Sequence, residues 1–303
     1  ALPATLSPDM WTHQYDQMTN QVQCSYLPEG HVVFRTNSGE SHLFGLEPNF
    51  GCCTANFNQG WPKFALSSFM KSEHGIAVTS LVPSILNTVV EGVPVRCEIK
   101  TDYPFRGSVS IEVSTERPVH FELAVRVPSF AETAEMDGRS VKTGGFFRLE
   151  RSWEGVQTIS LNLEFCAGLV SRPNGLVCIE CGPLLYAVKI KERWVKHEFT
   201  RDGVARNYPY CDYEIFPESK WNYALVSDQA VVEEHDIGDC PFSPEGAPVS
   251  ITVQMAEIDW GMEHGICREL PASRVPLGPP EEVTLIPYGC TNLRLTEFPF
   301  IKE

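Results

Sequence analysis

The stretch GSVSIEVS, residues 107–114, alternates apolar and polar side chains with the period of two that is typical of a half-buried β-strand. The same alternation recurs in HFELAVRVP, residues 120–128, and in TISLNLEF, residues 158–165. Turn-forming clusters such as DYPFRG, EMDGRS and SRPNG separate such segments, so the pattern predicts an antiparallel β-sandwich. The side chains expected to face its core are Val109, Ile111, Val113, Phe121, Leu123, Val125, Val127, Ile159, Leu161, Leu163 and Phe165.

The texture of the sequence changes along the chain and predicts three domains. Residues 1–74 lack strict alternation and are rich in His, Gln, Asn and aromatic side chains, which indicates loops plus one helix. The alternating β-sandwich segment follows at 75–192, and a further β-rich segment with a long Pro- and acid-rich loop occupies 193–303. The fold class expected for most of the chain is therefore mainly β.

The predicted helix is WPKFALSSFMKS, residues 61–72. Pro62 suits the first turn of a helix, where its missing N–H group is not needed. Phe64, Leu66, Phe69 and Met70 recur at spacings that supply an apolar helical face.

Composition limits the classes of partner. The chain has 303 residues, 43% of them hydrophobic and 21% charged, as in ordinary globular proteins. Its formal net charge of −15, without any run of Lys or Arg, argues against a nucleic-acid surface. No apolar stretch approaches the roughly 20 residues that a membrane span needs, and the N-terminus does not resemble a signal peptide. We expect no nucleic-acid and no membrane partner.

The eleven cysteines form no recognisable disulfide framework, because their count is odd and their spacing is irregular. Cys97 and Cys166 lie in apolar alternations, where a buried cysteine behaves as a small hydrophobic residue. Cys178 and Cys181 have zinc-knuckle spacing, but their apolar surroundings read as a strand that points them to opposite faces. Unpaired thiols favour a reducing, cytoplasmic compartment.

Cys52 and Cys53 are adjacent, in a predicted turn just before the helix, and admit three explanations. A disulfide between them is disfavoured, because the eight-membered ring strains the intervening peptide bond. A metal site or a nucleophile is favoured by position, because the positive end of a helix dipole lowers a thiol pKa. An inert buried pair stays open as the alternative.

Several polar and aromatic residues are candidates for a sugar site. The segment HQYDQMTNQ, residues 13–21, carries His13, Tyr15, Asn20 and Gln21, although a solvated loop would look similar. Glu47 is the carboxylate best placed relative to the cysteines, and it could equally cap a turn. A further set of aromatic residues has two possible roles, either stacking against sugars or packing between domains. These residues are Tyr208, Tyr210, Tyr213, Trp221 and Tyr223.

Six phrases spread over nearly the whole chain are distinctive: ALPATLSPDMWTHQYDQMTNQVQC (1–24), FGLEPNFGCCTANFNQGWPKFA (44–65), TDYPFRGSVSIEV (101–113), CGPLLYAV (181–188), SKWNYALV (219–226) and VTLIPYGCTNLRLTEFP (283–299). With these phrases the chain resembles glycoside hydrolase family 127, whose best-known activity is β-L-arabinofuranosidase. The phrase with the two cysteines followed by Gly-Trp-Pro is specific, and the other phrases support it.

This resemblance implies β-sandwich domains preceded by the end of an (α/α)6 barrel, for which residues 1–74 would be the C-terminal remnant. It implies a retaining glycoside hydrolase that removes a non-reducing-end sugar such as β-L-arabinofuranose from an arabinose-containing glycan. By motif, Cys52 corresponds to the nucleophile, and Cys53 together with Cys52 to ligands of Zn²⁺. The substrate-binding candidates remain His13, Tyr15, Asn20, Gln21 and Glu47.

One departure from the family pattern concerns the remaining catalytic groups. The family takes its other zinc ligands from a Glu-x-Cys motif and its acid/base glutamate from upstream segments, and residues 1–51 contain no Glu-x-Cys. We therefore expect this chain to be inactive alone and to need a barrel segment before Ala1 or a second copy as a homodimer. The alternatives are a non-catalytic β-sandwich module that binds carbohydrate or a partner, and a redox pair at the two cysteines.

Overall fold

The computed structural model describes residues 2–31, 38–46 and 51–301. The described residues contain two α-helices, α1 (Gly51–Phe57) and α2 (Gly60–Leu66), and three 3-10 helices, Leu2–Thr5, Pro173–Gly175 and Tyr288–Cys290. No helix among these residues is long and apolar enough to cross a membrane.

The remainder of the regular structure is β. The strands of the first half are β1 (His13–Gln14), β2 (Asn20–Gln21), β3 (Phe44–Gly45), β4 (Phe69–Lys71), β5 (Gly75–Val78), β6 (Ser84–Val90), β7 (Val93–Thr101), β8 (Ser108–Val127), β9 (Thr133–Met136), β10 (Arg139–Ser140) and β11 (Gly145–Glu164). The strands of the second half are β12 (Ala167–Arg172), β13 (Leu176–Cys181), β14 (Leu184–Lys189), β15 (Glu192–His197), β16 (Phe199–Arg201), β17 (Val204–Arg206), β18 (Asp212–Pro217), β19 (Tyr223–Glu234), β20 (Val249–Glu257), β21 (Met262–Glu263), β22 (Ile266–Cys267), β23 (Glu281–Pro287), β24 (Arg294–Leu295) and β25 (Phe298–Pro299).

The chain divides into two compact units. The central unit comprises Asn58–Cys166 and Cys181–Pro183, and the flanking unit comprises Ala1–Phe57, Ala167–Glu180 and Leu184–Glu303. The mainly β, antiparallel fold class is confirmed in both units. The end of an (α/α)6 barrel in residues 1–74 and the division into three domains at residues 74 and 192 stay predictions.

The central unit is one eight-stranded sheet built on two 20-residue strands, β8 and β11. These strands pair antiparallel over almost their whole length, with a register shift between Trp153 and Gly155. The first half of β8 also pairs with β7, and its second half pairs in parallel with β5. One continuous strand therefore joins the two predicted segments around Ile111 and Leu123.

The period of two places the apolar side chains of both halves in one core. Ile111 lies directly between Ile99 of β7 and Ile159 of β11, and all three side chains are buried. The same cluster contains Phe121 and Trp153 from the other half, so both halves of the long strands share one core. Every predicted core residue is buried in this unit except for Phe165, which is half-buried against the cluster.

Two local predictions differ from the structure. The helix ends at Leu66, and Phe69 and Met70 belong instead to β4, which pairs with β5. Cys166 is exposed rather than buried. The alternation of β11 points Leu163 into the core and the even-numbered residues toward solvent, and Cys166 continues this alternation just after the strand ends. Cys97 is buried in the core, and Cys178 lies on strand β13, as predicted.

The flanking unit contains a nine-stranded sheet with the order β12-β13-β14-β23-β20-β19, extended by β24 and β2 beside β14 and by β25 beside β13. A four-stranded sheet has the order β1-β3-β18-β15. In the nine-stranded sheet, the apolar residues Ile251 and Met255 of β20 and Leu285 of β23 are fully buried. The N-terminal segment thus contributes strands to both sheets.

A buried arginine connects the first residues of the chain to the last ones in the flanking unit. Arg294 is fully buried, and its guanidinium donates hydrogen bonds to the carbonyl oxygens of Met18 at 2.7 Å, Asn292 at 3.1 Å and Ala4 at 3.4 Å. It also bonds the hydroxyls of Thr291 at 3.0 Å and Tyr288 at 3.1 Å. Such a network is stable in a buried position because the charged donor group is satisfied by polar atoms.

Candidate functional site

The two adjacent cysteines lie inside the first turn of α1, rather than in a turn that precedes a helix. Their Sγ atoms are 3.9 Å apart, and all eleven cysteines are free thiols, so no disulfide joins Cys52 to Cys53. Cys52 is exposed and Cys53 is half-buried. The Asn56 side chain donates a 2.7 Å hydrogen bond to the Cys52 carbonyl oxygen, which fixes the turn that carries the pair.

Tyr15 is the predicted site residue that the structure brings to the cysteines. Its hydroxyl shares a hydrogen bond with the Cys53 thiol. Tyr15 directly follows β1, which pairs with β3, so this short sheet positions the ring. A tyrosine hydroxyl that donates a hydrogen bond to a thiolate stabilises the charged form of the sulfur.

The pKa of the Cys53 thiol is raised, whereas the sequence leads us to expect a lowered pKa. Partial desolvation, followed by the hydrogen bond to Cys52, raises the pKa of Cys53, and only the Tyr15 hydroxyl opposes this shift. The pKa of Tyr15 is raised in turn by desolvation and by the Cys53 charge. Desolvation is the largest cause of the raised pKa of Cys53, and the neighbouring Cys52 side chain adds to it. A positive group beside Cys53 is needed to hold its sulfur as a thiolate at neutral pH.

The sulfur positions fit two ligands of one zinc ion. Zinc–sulfur bonds of about 2.3 Å in tetrahedral geometry place two sulfurs about 3.8 Å apart, close to the 3.9 Å between Cys52 and Cys53. Among the described residues no group of three or more His, Cys, Asp or Glu side chains is arranged to hold a metal. The pair therefore fits half of a zinc site, and the other ligands would come from elsewhere.

The other predicted substrate-binding residues occupy different surroundings. His13 pairs with Gly45 across β1 and β3, and burial lowers its pKa. Gln21 is fully buried and donates a 2.8 Å hydrogen bond to the Asn292 carbonyl oxygen. Asn20 accepts from the backbone N–H groups of residues 296 and 297. Glu47 lies outside the described residues, and the substrate-binding role of all these residues stays a prediction.

Two of the predicted aromatic residues meet in one place, together with a tryptophan that the sequence reasoning missed. Tyr208 and Tyr213 line a cavity with Trp194 of β15. The alternation of KERWVKH around Trp194 marks it as a strand residue, but only the pairing of β15 with β18 brings it to Tyr213. Trp221 and Tyr223 lie away from this cavity and are buried.

Comparison with known protein families assigns the central unit. Residues 75–165 match the family model described as "Beta-L-arabinofuranosidase, GH127 middle domain". This segment is similar to a family 127 middle domain. The matched residues coincide with β5 to β11 and thus include the two long strands of the central unit. No curated protein sequence matches the chain.

Solved structures share the fold over nearly the whole chain, including the parts outside the middle domain. A GH127 β-L-arabinofuranosidase from Geobacillus stearothermophilus is 20% identical with a TM-score of 0.61, and the match covers 99% of this chain and 44% of that one. A GH127 β-arabinofuranosidase has 16% identity, a TM-score of 0.62 and the same coverages. A further glycoside hydrolase has 15% identity and a TM-score of 0.59, over 99% and 46% of the two chains. The chain spans less than half the length of these structures, and the likeness concerns the fold.

Proposed function

We propose that this chain is part of a retaining glycoside hydrolase of the family 127 type, with Cys52 as its nucleophile. The single observation that carries the proposal is the paired thiols in the first turn of α1, 3.9 Å apart and in contact with Tyr15. The match of residues 75–165 to the family 127 middle domain supports it from an independent part of the chain. The proposed substrate is a glycan that ends in a furanose such as β-L-arabinofuranose.

The reaction would use the chain's own groups as follows. The Cys52 thiolate attacks the anomeric carbon, so that a carbon–sulfur bond forms while the glycosidic carbon–oxygen bond breaks. A carboxylic acid outside the described residues gives its proton to the leaving oxygen and later takes one from the water that displaces the sulfur. Because Cys52 is exposed on α1, a sugar can reach its sulfur.

Cys53 is proposed to ligate zinc beside the nucleophile. Zinc bound to thiolates keeps them deprotonated near neutral pH, which supplies the positive group that Cys53 needs. Tyr15 would orient the Cys53 sulfur through their shared hydrogen bond. Two further ligands and the acid/base would come from a barrel segment, in cis or from another chain.

The test compares the 303-residue chain alone with the same chain supplied with a family 127 barrel segment, using an aryl β-L-arabinofuranoside. We expect hydrolysis only in the second case, with about one zinc per chain. Cys52→Ala should abolish turnover, whereas Cys267→Ala, which removes a thiol on the β21–β22 hairpin, is the matched control. Hydrolysis that survives Cys52→Ala would refute the assignment of the nucleophile.

A further inference from the structure

The flanking unit contains a cavity of about 310 Å³ that the proposed hydrolysis does not use. Three aromatic side chains, Trp194, Tyr208 and Tyr213, line it together with Asp9 and Thr12 from the N-terminal segment. Its volume lies at the lower end of the roughly 300–1,000 Å³ that small-molecule pockets occupy. The cavity therefore has room for one small ring.

Two of its aromatic rings are fixed by the sheet. Trp194 pairs with Ile215, two residues beyond Tyr213, so Trp194 and Tyr213 are diagonal neighbours on adjacent strands. Their ring centroids are 5.7 Å apart with an interplanar angle of 70°. Phe44 supports Trp194 from a third strand with a centroid distance of 5.4 Å. This part of the wall is preorganised before a ligand arrives.

Tyr208 provides an open ring on a loop. Its side chain is 63% exposed although it lines the cavity. The backbone N–H of Tyr208 donates a 3.0 Å hydrogen bond to the Glu198 carboxylate, which anchors the loop. An exposed, anchored aromatic ring can cover an apolar ligand face with little loss of conformational entropy.

Polar groups complete the lining. Thr12 is only 3% exposed, and its Oγ1 has no hydrogen-bond partner in the part of the chain that the structure describes. Asp9 accepts hydrogen bonds from the Ser7 hydroxyl at 2.6 Å and from the Trp11 backbone N–H at 3.1 Å, both at Oδ1. A buried hydroxyl without a partner is unfavourable unless something else pairs with it. Because this oxygen is also closed to solvent, a ligand hydroxyl reaches it only after the Thr12 side chain rotates toward the cavity.

We propose that this cavity binds one ring of a neutral saccharide, stacked on Tyr208 and hydrogen-bonded to the Asp9 carboxylate and the Thr12 hydroxyl. An organic cation is the other ligand that aromatic rings and a carboxylate can select. The ring of Tyr208 already has an ammonium group near it, because Lys196 Nζ lies 5.9 Å from the ring centroid. This ammonium group is held in place by the Glu198 carboxylate at 3.0 Å. The cation position over this ring is therefore already taken, and a neutral ligand fits better.

The experiment titrates the 303-residue chain with the methyl glycosides of L-arabinose, D-xylose and D-galactose, by calorimetry and saturation-transfer NMR. At least one glycoside should bind saturably, with transfer to the ring protons that face Tyr208. Tyr208→Ala should weaken binding about two- to tenfold, since it removes the stacking ring, whereas Tyr208→Phe should retain it. Thr12→Val should weaken binding about two- to tenfold because it removes one hydrogen bond.

Folding and binding are separated by the choice of variants. Thr12→Val removes a buried hydroxyl without a partner, so its thermal stability should equal or exceed that of the unaltered chain. Tyr26→Ala is the matched control, because Tyr26 is similarly exposed but does not line the cavity. The proposal is overturned if no glycoside binds, if tetramethylammonium binds more tightly than every glycoside, or if Tyr208→Ala and Thr12→Val bind like the control. None of these outcomes depends on hydrolysis at Cys52.

Discussion

Replacing Arg294 with methionine is expected to destabilise the flanking unit by about 1–6 kcal/mol. Methionine keeps an unbranched apolar stem of similar length, so the change removes the guanidinium without opening a large cavity. The side chain is fully buried, which means that water cannot replace the lost donors. The cost therefore depends on which acceptors keep a partner.

The acceptors can be counted from the contacts. The Asn292 carbonyl oxygen keeps the 2.8 Å hydrogen bond from Gln21, and the Tyr288 hydroxyl stays near the Met18 carbonyl oxygen at 3.4 Å. The Ala4 carbonyl oxygen loses the donor at 3.4 Å that Arg294 provides. One or two buried acceptors without donors, at about 1–3 kcal/mol each, give the range above.

The assay is native-state hydrogen exchange, because a chain with two units need not unfold in one step. Amides of β20 and β23 in the flanking unit should lose protection by the stated amount, whereas amides of β8 and β11 should not. Arg268→Met is the matched control, since the side chain of Arg268 is half exposed and its ion pair with Glu263 is long, at 3.9 Å. Equal protection in the two variants would refute the reasoning, as would a loss of protection confined to the central unit.

Two further predictions concern buried groups, one in each unit. Burial raises the pKa of Asp212 from its ordinary value of 3.8 to about 6, and the charge of Glu40 adds to this shift. The positive charges of Arg201, Arg206 and His197 lower the pKa but do not outweigh burial. Its protonated form is favoured in the folded state, so the associated stability is present below pH 4 and is lost as the pH rises through 6, by about 3 kcal/mol. Asp212→Asn should flatten this part of the stability profile in urea titrations at pH 4 and pH 7, and an unchanged pH dependence would contradict the assignment. In the central unit, Leu123→Ala should cost about 2–5 kcal/mol in hydrogen-exchange protection of β8 and β11, because Leu123 is fully buried. Val156→Ala, at a side chain 66% exposed on the partner strand, should change it by less than about 1 kcal/mol, and similar losses in both variants would show that the sheet has no such core.

The strand positions could be predicted where only one face of the strand is buried, because apolar and polar residues then alternate in the sequence. Ile111, Leu123 and Ile159 could be assigned from sequence alone because a one-residue slip would expose every one of them. The extent of β8 could not be predicted, since the exposed residues 116–118 break the alternation while the backbone continues as one strand. The sequence pattern places Phe69 and Met70 in the helix, because a helical spacing of apolar residues fits them as well as a short strand does.

The candidate sites depended more on long-range contacts. The sequence identified Cys52 and Cys53 by their adjacency, but the contact between Cys53 and Tyr15 joins residues 38 positions apart and has no local pattern. Arg294 shows the same limit, because its carbonyl partners lie near the other end of the chain and only the fold brings them together. Trp194 and Tyr213 likewise meet only through the pairing of β15 with β18. Local periodicity predicts strands, whereas sites assembled across strands require the topology.

The most direct test of the proposed nucleophile is peptide mass spectrometry of the chain combined with a family 127 barrel segment, acid-quenched during turnover of a slow aryl β-L-arabinofuranoside. The peptide that contains Cys52 should carry the added mass of one anhydropentose, and the adduct should disappear in Cys52→Ala. An adduct on a different residue would contradict the assignment of Cys52 as the nucleophile. So would a Cys52→Ala variant that still hydrolyses the substrate without forming any adduct.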